Sequence, residues 1–524
     1  MFKAGAAARR FLLAVLIVTP PAWAQTLAFA TGAPPTSIDP HFHTLTPNAN
    51  VGTHLFGALV ERDAQARLRP GLAESWRLVN DTTWEFKLRK GVTFHNGEPF
   101  TAEDVVFTIE RVPNVPNSPA SYAVYTKPIT RAEIVDPWTI RFSTAAVHPL
   151  LPTDLSQIHI LTRSIAGHAT TADFNSGRAA IGTGPYRLVS YSHGDRLELA
   201  RNEAYWGEKP AWERVDYRII GNDAARVAAL RSGDVQLIDG VPTGDIARLR
   251  GEEAITLSEA TSLRMVYLRV DVGRDVSPYV TGPNGEKLDR NPLKDPRVRA
   301  ALSMAINRDA IVDRVMSGAA LATGQPMPPG TYGHIPDLKP PAYDPARAKQ
   351  LLAEAGWPDG FGITLIGSND RYINDAQIIQ AVGQMWARIG VNTKVEAMPY
   401  SAFSQRNARS DLSAALGGWS NVSGEPSSGL RALLMTRDLP RGYGTANRSG
   451  YSNPDFDKLV MRAMVTTDDT AREQVFMEAT RMAMADHGLI PLHIQKNVWA
   501  MRKGLVHDPR ADEMTLAMGI RPAP

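Results

Sequence analysis

Apolar and polar positions fall in short blocks that switch between the two-residue period of a strand and the three-to-four-residue period of a helix. Trp84, Phe86 and Leu88 alternate with Glu85, Lys87 and Arg89, which predicts a half-buried strand. Residues 26–30 predict a short strand that runs into the Gly/Pro-rich loop Thr31-Gly32-Ala33-Pro34-Pro35. Residues 197–199 and 215–219 predict two more strands. Thr101 is placed as the N-cap of a helix, with Glu103 and Asp104 at its positive end and Val105, Val106 and Ile109 as its apolar stripe. Asp295-Pro296, Asp344-Pro345 and Asn453-Pro454 predict three further helix starts, each a capping side chain followed by proline. Leu351 and Leu352 supply the buried face of the second, and Gly356 ends it.

Strands and helices mixed in this way predict α/β or mixed α+β lobes. At 524 residues the chain exceeds one ordinary core, so two or three domains are expected. No internal repeat, low-complexity run or long tether interrupts it, so the domains are joined by several short crossings.

The N-terminus has a basic start (Lys3, Arg9, Arg10), a short apolar run (residues 11–18) and the small-x-small site Ala22-Trp23-Ala24. This is the pattern of a cleaved secretory signal peptide over residues 1–24, which predicts a periplasmic mature chain. The three basic residues of that segment account for the whole net charge of +3, so the mature chain is neutral and no nucleic-acid partner is indicated. With no cysteine there is no disulfide, thiolate metal site or lipid attachment site, and the mature protein is expected to be a free monomer.

No phosphate loop, His-Glu-x-x-His or nucleophile elbow is present, so no enzyme and no cofactor are predicted. Asp39, His41 and His43 alternate, with His54 nearby. On a strand they would share one face and suit a metal, while a polar turn set by Asp39-Pro40 is the other reading. In the tract Leu416-Gly417-Gly418-Trp419-Ser420-Asn421 the glycines allow close approach of a ligand and the indole offers a flat face, or Trp419 is a core residue behind a turn.

Several pieces, in order and across the mature chain, resemble the bacterial extracellular solute-binding proteins of family 5, the dipeptide- and oligopeptide-binding group. They include Pro70-Gly71-Leu72-Ala73-Glu74-Ser75-Trp76, residues 84–97, Thr101-Ala102-Glu103-Asp104-Val105, Gly182-Thr183-Gly184-Pro185-Tyr186, Tyr451-Ser452-Asn453-Pro454 and Ile490-Pro491-Leu492. The resemblance implies a two-lobed periplasmic-binding fold of type II with an extra domain. Its parts are residues 25–55, 176–268 and 488–524 for the first lobe, 56–175 for the extra domain and 269–487 for the second lobe. Crossings between the lobes fall near residues 263–271 and 491–499. It implies a binding subunit that takes a peptide or peptide-like solute between the lobes and delivers it to the membrane permease of an ABC importer. A metal chelate or an opine-like or sugar-linked solute in the same fold, and a periplasmic hydrolase or chaperone, are the alternatives. By the same resemblance Arg371 stands where relatives hold the ligand carboxylate, beside Tyr372. Trp419, Ser420, Asn421 and Glu425, with Thr31 and Gly32 of the first lobe, complete the expected site. The aspartate that relatives use for the ligand ammonium is replaced by Val422, with Glu425 as the nearby acid.

Overall fold

In a computed structural model, residues 26–119 and 121–524 are described; the expected signal peptide lies outside them. One twelve-stranded sheet runs through the molecule. Its strands are β1 (Thr26–Thr31), β2 (Tyr186–Ser192), β3 (Arg196–Arg201), β4 (Arg214–Ile219), β5 (Leu237–Ile238), β6 (Ile255–Val270), β7 (Val280–Thr281), β8 (Ala320–Ala322), β9 (Phe361–Ser368), β10 (Val391–Met398), β11 (Ala414–Ser420) and β12 (Ile490–Arg502). The spatial order is β7-β9-β11-β6-β12-β5-β1-β4-β3-β2, with β8 beside β12 and β10 beside β9.

The sheet serves two separate sets of cores. Leu27 and Phe29 of β1 pack with Tyr217, Trp499 and Met501 on one face, and Ala28 and Ala30 pack with Val498 and Ala500 on the other. Val266, Leu268, Ile490 and Leu492 belong to a different core with Trp386 and Leu416, and Met265, Tyr267 and Ile494 to another with Phe456 and Phe476. Only β6 and β12 feed both sets, so they are the ribbon that joins the two halves. They pair antiparallel from Ile255↔Arg502 to Thr261↔Lys496 and again from Met265↔Ile494. Between those stretches Ser262, Leu263 and Arg264 lie opposite Gln495 alone. Leu263 satisfies its backbone elsewhere, donating to Ala511 O and accepting from Asn421 N–H, each at 3.0 Å.

Local signals explain most of the elements. Asp295, Asp344 and Asn453 each cap the helix that follows, over Pro296–Met304, Pro345–Glu354 and Pro454–Val465. Thr101 precedes the helix Ala102–Arg111, and its N–H donates to the Asp104 carboxylate at 2.9 Å. In the second of the proline-started helices the buried residues are Ala348 and Leu352; Leu351 is only half-buried.

A separate four-stranded sheet, Ala73–Asn80, Thr83–Leu88, Thr139–Thr144 and Ile129–Asp136, encloses its own core around Phe86, Phe100 and Phe142. The strand predicted around Phe86 is present. Glu85, expected on its solvated face, is 3% exposed because Arg77 and Arg141 close over it at 2.8 and 2.7 Å.

Candidate functional site

The carboxyl end of β9 turns sharply at residues 369–374 before the helix Asp375–Ala387. The Asp375 carboxylate organises this turn, accepting from Ser368 Oγ at 2.6 Å, Arg371 N at 3.1 Å and Tyr372 N at 3.2 Å. The Arg371 guanidinium lies over the ring of Tyr372 at 5.5 Å and over that of Tyr400 at 5.4 Å. It is exposed, and among the described residues it has no carboxylate partner. The two acids that could have held it are engaged elsewhere: Asp375 as above, and Asp370 with Tyr400 N–H at 2.7 Å.

Tyr372 reaches across to β11. Its hydroxyl donates to Gly418 O at 3.3 Å, and a Cβ on Gly418 would lie 2.6 Å from its ring. Glycine is required there because the aromatic face occupies the space of a side chain. Burial pushes the Tyr372 phenol up, so it remains a donor at neutral pH.

Strand alternation separates the other predicted residues. Gly418 and Ser420 share the face of Tyr372, while Trp419 points to the opposite face, where Met265 and Ile494 pack. The Trp419 indole N–H donates to Ser428 Oγ at 3.3 Å, and that hydroxyl donates to Asn421 Oδ1 at 3.2 Å. Asn421 is fully buried and shapes the turn after β11. Ser420 Oγ is buried without a partner.

Glu425 is 6% exposed and already occupied. It accepts from Ser423 Oγ at 2.8 Å, Ser427 Oγ at 2.7 Å and Ser427 N at 2.7 Å, which caps the short helical segment starting at Ser427. This carboxylate is thus committed to hydrogen bonds within its own loop.

Thr31 and Gly32 sit in the other half, at the carboxyl end of the central parallel strand, where open α/β sheets hold ligands. The Thr31 hydroxyl donates to Tyr217 OH at 3.2 Å, and Gly32 N–H to Asp239 at 3.1 Å. Burial pushes the Asp239 carboxyl up to about 6.

Contacts between the halves include the following two. Asn374 Nδ2 donates to Thr243 Oγ1 at 2.8 Å. A Cβ on Gly424 would lie 2.7 Å from Ala66 O and 3.1 Å from Arg62 Nη1.

The metal reading does not survive the geometry. Residues 39–43 form a turn, not a strand. His41 bonds His159 O at 2.8 Å and Arg111 at 2.9 Å, and His54 bonds Asn50 O at 2.8 Å and Ala517 N at 3.0 Å. Both rings are buried, and burial drives their pKa values down to about 3 and about 4. Asp39 pairs with Arg111 at 2.7 Å.

Sequence reasoning missed Tyr400, which is far from Arg371 along the chain. It also missed three polar groups on the joining ribbon. Both ring nitrogens of His493 are buried without partners, as is Asn497 Nδ2, while Gln495 Nε2 donates to Asn497 Oδ1 at 3.1 Å. The polar alternation of His493, Gln495 and Asn497 within an apolar strand was the available signal.

The family model for bacterial extracellular solute-binding proteins, family 5, matches residues 67–438, well over half of the chain. The chain belongs to that family. This family 5 protein is 28% identical to the dipeptide-binding protein of Escherichia coli K12, covering 95% of each chain. It is 27% identical to heme-binding protein A of Haemophilus influenzae, covering 87% of this chain and 84% of that one. Among solved structures it superposes on the periplasmic binding protein DppA of Helicobacter pylori in complex with the peptide STSA, with a TM-score of 0.77, 24% identity and coverage of 95% and 98%. The family 5 fold is thus a two-lobed periplasmic-binding architecture, in accord with the two sets of cores joined by β6 and β12.

Proposed function

We propose that this protein is the periplasmic binding subunit of an ABC importer, and that it holds a peptide-like carboxylate solute between its two halves for delivery to a membrane permease. It acts as a monomer and as a binder, not a catalyst. The lobes are residues 25–55, 176–268 and 488–524 against 269–487, with 56–175 as the extra domain.

The observation that carries the reading is Arg371, an exposed guanidinium beside two tyrosine rings with no carboxylate partner among the described residues. The two rings limit where the guanidinium sits, and its planar fork suits two-point binding of a carboxylate. Likeness to dipeptide-binding and peptide-complexed proteins supports the solute class.

The amine end is different. The Val422 side chain has no polar atom to offer, and the three donors on Glu425 stabilise it where it is. A ligand ammonium brought beside these residues would be desolvated without a free partner. The solute therefore carries a free carboxylate and a blocked or absent α-amine, as in an acylated peptide or a conjugate.

Calorimetry with a dipeptide, its N-acetyl form and its C-terminal amide tests this. The acetylated peptide is expected to bind at least as tightly as the free one, and the amide to lose binding. Preference for the free amine would refute the reading of the amine end, and indifference to amidation would refute the role of Arg371.

A further inference from the structure

Away from the Arg371 turn, where β6 ends, an open cavity of about 280 Å³ is lined by Asp271, Arg274, Thr436, Arg437 and Arg448, among others. Its charge is lopsided. Asp271 is the one carboxylate in the lining, and it is already bonded by Arg274 at 3.1 Å and Ser277 Oγ at 2.8 Å. Arg274 also donates to Ser410 O. Arg437 and Arg448 have no ion-pair partner among the described residues. Arg448 goes further: its Nε and Nη1 are shut off from solvent and have no acceptor.

A guanidinium in that state is costly, because each buried N–H without an acceptor loses its water and gains nothing. Arg437 and Arg269 add repulsion and, after burial itself, push the Arg448 guanidinium down. Arg269 gives no relief, since a guanidinium has no acceptor to offer, and its own donor is turned to Asn407. A negatively charged occupant of the cavity would screen the cluster of guanidinium groups.

We infer that this cavity is a second binding site, specific for a small oxyanion of the phosphate class and held by Arg448 and Arg437. A tetrahedral dianion matches the lining, which offers two guanidinium groups without an ion-pair partner among the described residues and the Thr436 and Ser452 hydroxyls, bonded to each other at 2.8 Å. A cavity of this volume admits a free phosphate or a phosphate-bearing headgroup.

Thermal unfolding of the full chain in inorganic phosphate, against chloride at matched ionic strength, tests the site. Phosphate is expected to raise the melting temperature of the wild type and of Arg371→Ala equally. Arg448→Gln and Arg437→Gln are each expected to reduce phosphate affinity about tenfold or more by calorimetry. Arg448→Gln is also expected to melt no lower than wild type without phosphate, since it removes an uncompensated charge. Phosphatidylglycerol vesicles separate the two sources. Co-sedimentation that Arg448→Gln abolishes assigns a lipid headgroup, and phosphate binding without co-sedimentation assigns the free anion. Phosphate affinity unchanged in both arginine variants, or no phosphate effect on the wild type, overturns the inference. A phosphate effect lost in Arg371→Ala but kept in Arg448→Gln would do so too, by moving the anion to the other site.

Discussion

Asn374 donates from Nδ2 to Thr243 Oγ1 at 2.8 Å, and so ties the start of a helix in one half to the start of a helix in the other. Asn374 also donates to Val315 O at 2.7 Å, and its φ of 55° lies in the left-handed region that asparagine tolerates. Thr243→Ala and Asn374→Gly both remove the tie, and glycine keeps the backbone relaxed. Each is expected to weaken solute binding by about 1 kcal/mol, roughly fivefold, and to raise the radius of gyration in solution scattering. Scattering curves that match the wild type would mean that the tie does not hold the halves together.

Arg371→Ala is expected to weaken a carboxylate solute by about ten- to a hundredfold, the range for a lost charged hydrogen bond. The exposed guanidinium packs only on rings, so the melting temperature should move by no more than about a degree. Tyr400→Leu removes one of those rings and should produce a smaller loss of affinity with no change in fold.

Glu425→Gln is expected to act on stability. It weakens a buried cap whose acceptors serve Ser423 and Ser427, at about 1–2 kcal/mol in denaturant titration. Solute affinity per folded molecule should hold. A large loss of affinity with unchanged stability would return Glu425 to the ligand.

Gly418→Ala places a methyl group into the Tyr372 ring. Overpacking of this kind costs about 1–3 kcal/mol, and it also displaces the tyrosine beneath Arg371. Stability and affinity are expected to fall together, and Tyr372→Leu in the same chain should restore stability but not binding.

His493 links pH to stability. Burial lowers its pKa from 6.5 to about 4. The folded protein therefore binds fewer protons than the unfolded chain between those values. Its contribution is complete above pH 6.5 and is lost as pH falls toward 4. His41, His54 and His159 act in the same direction. His493→Leu should flatten the loss by about one proton, near 1.4 kcal/mol per pH unit, in denaturant titrations across that interval. An unchanged slope would mean that His493 is solvated in the native state.

Helix starts were the most legible part of the chain, because Asp-Pro and Asn-Pro state both the cap and the fixed first dihedral within two residues. Strands with one wet face were legible too, as around Phe86. Glu85 was not, because its burial depends on arginines 8 and 56 residues away. Arg371 and Tyr372 are neighbours in sequence, whereas the nearness of Tyr400 was not legible, since only the fold brings it over the guanidinium. Alternation along β11 decides that Trp419 faces away from Tyr372, and this follows only once the strand's limits are known. The histidines near the N-terminus suggested a metal because spacing alone cannot tell a strand from a turn.

The late position of β12 has a consequence for how the molecule is made. Trp499 and Met501 complete the core of Phe29, and Ile490 and Leu492 complete that of Trp386, so neither half is whole until nearly the last residues are available. Segments synthesised early must wait, with their apolar faces uncovered, for a strand that arrives hundreds of residues later. Both halves of the large sheet are therefore completed only in the finished polypeptide, whereas the buried residues of the core around Phe86 all lie within 59–160, and a chain cut short before residue 490 should yield two defective halves, not one sound half and one missing.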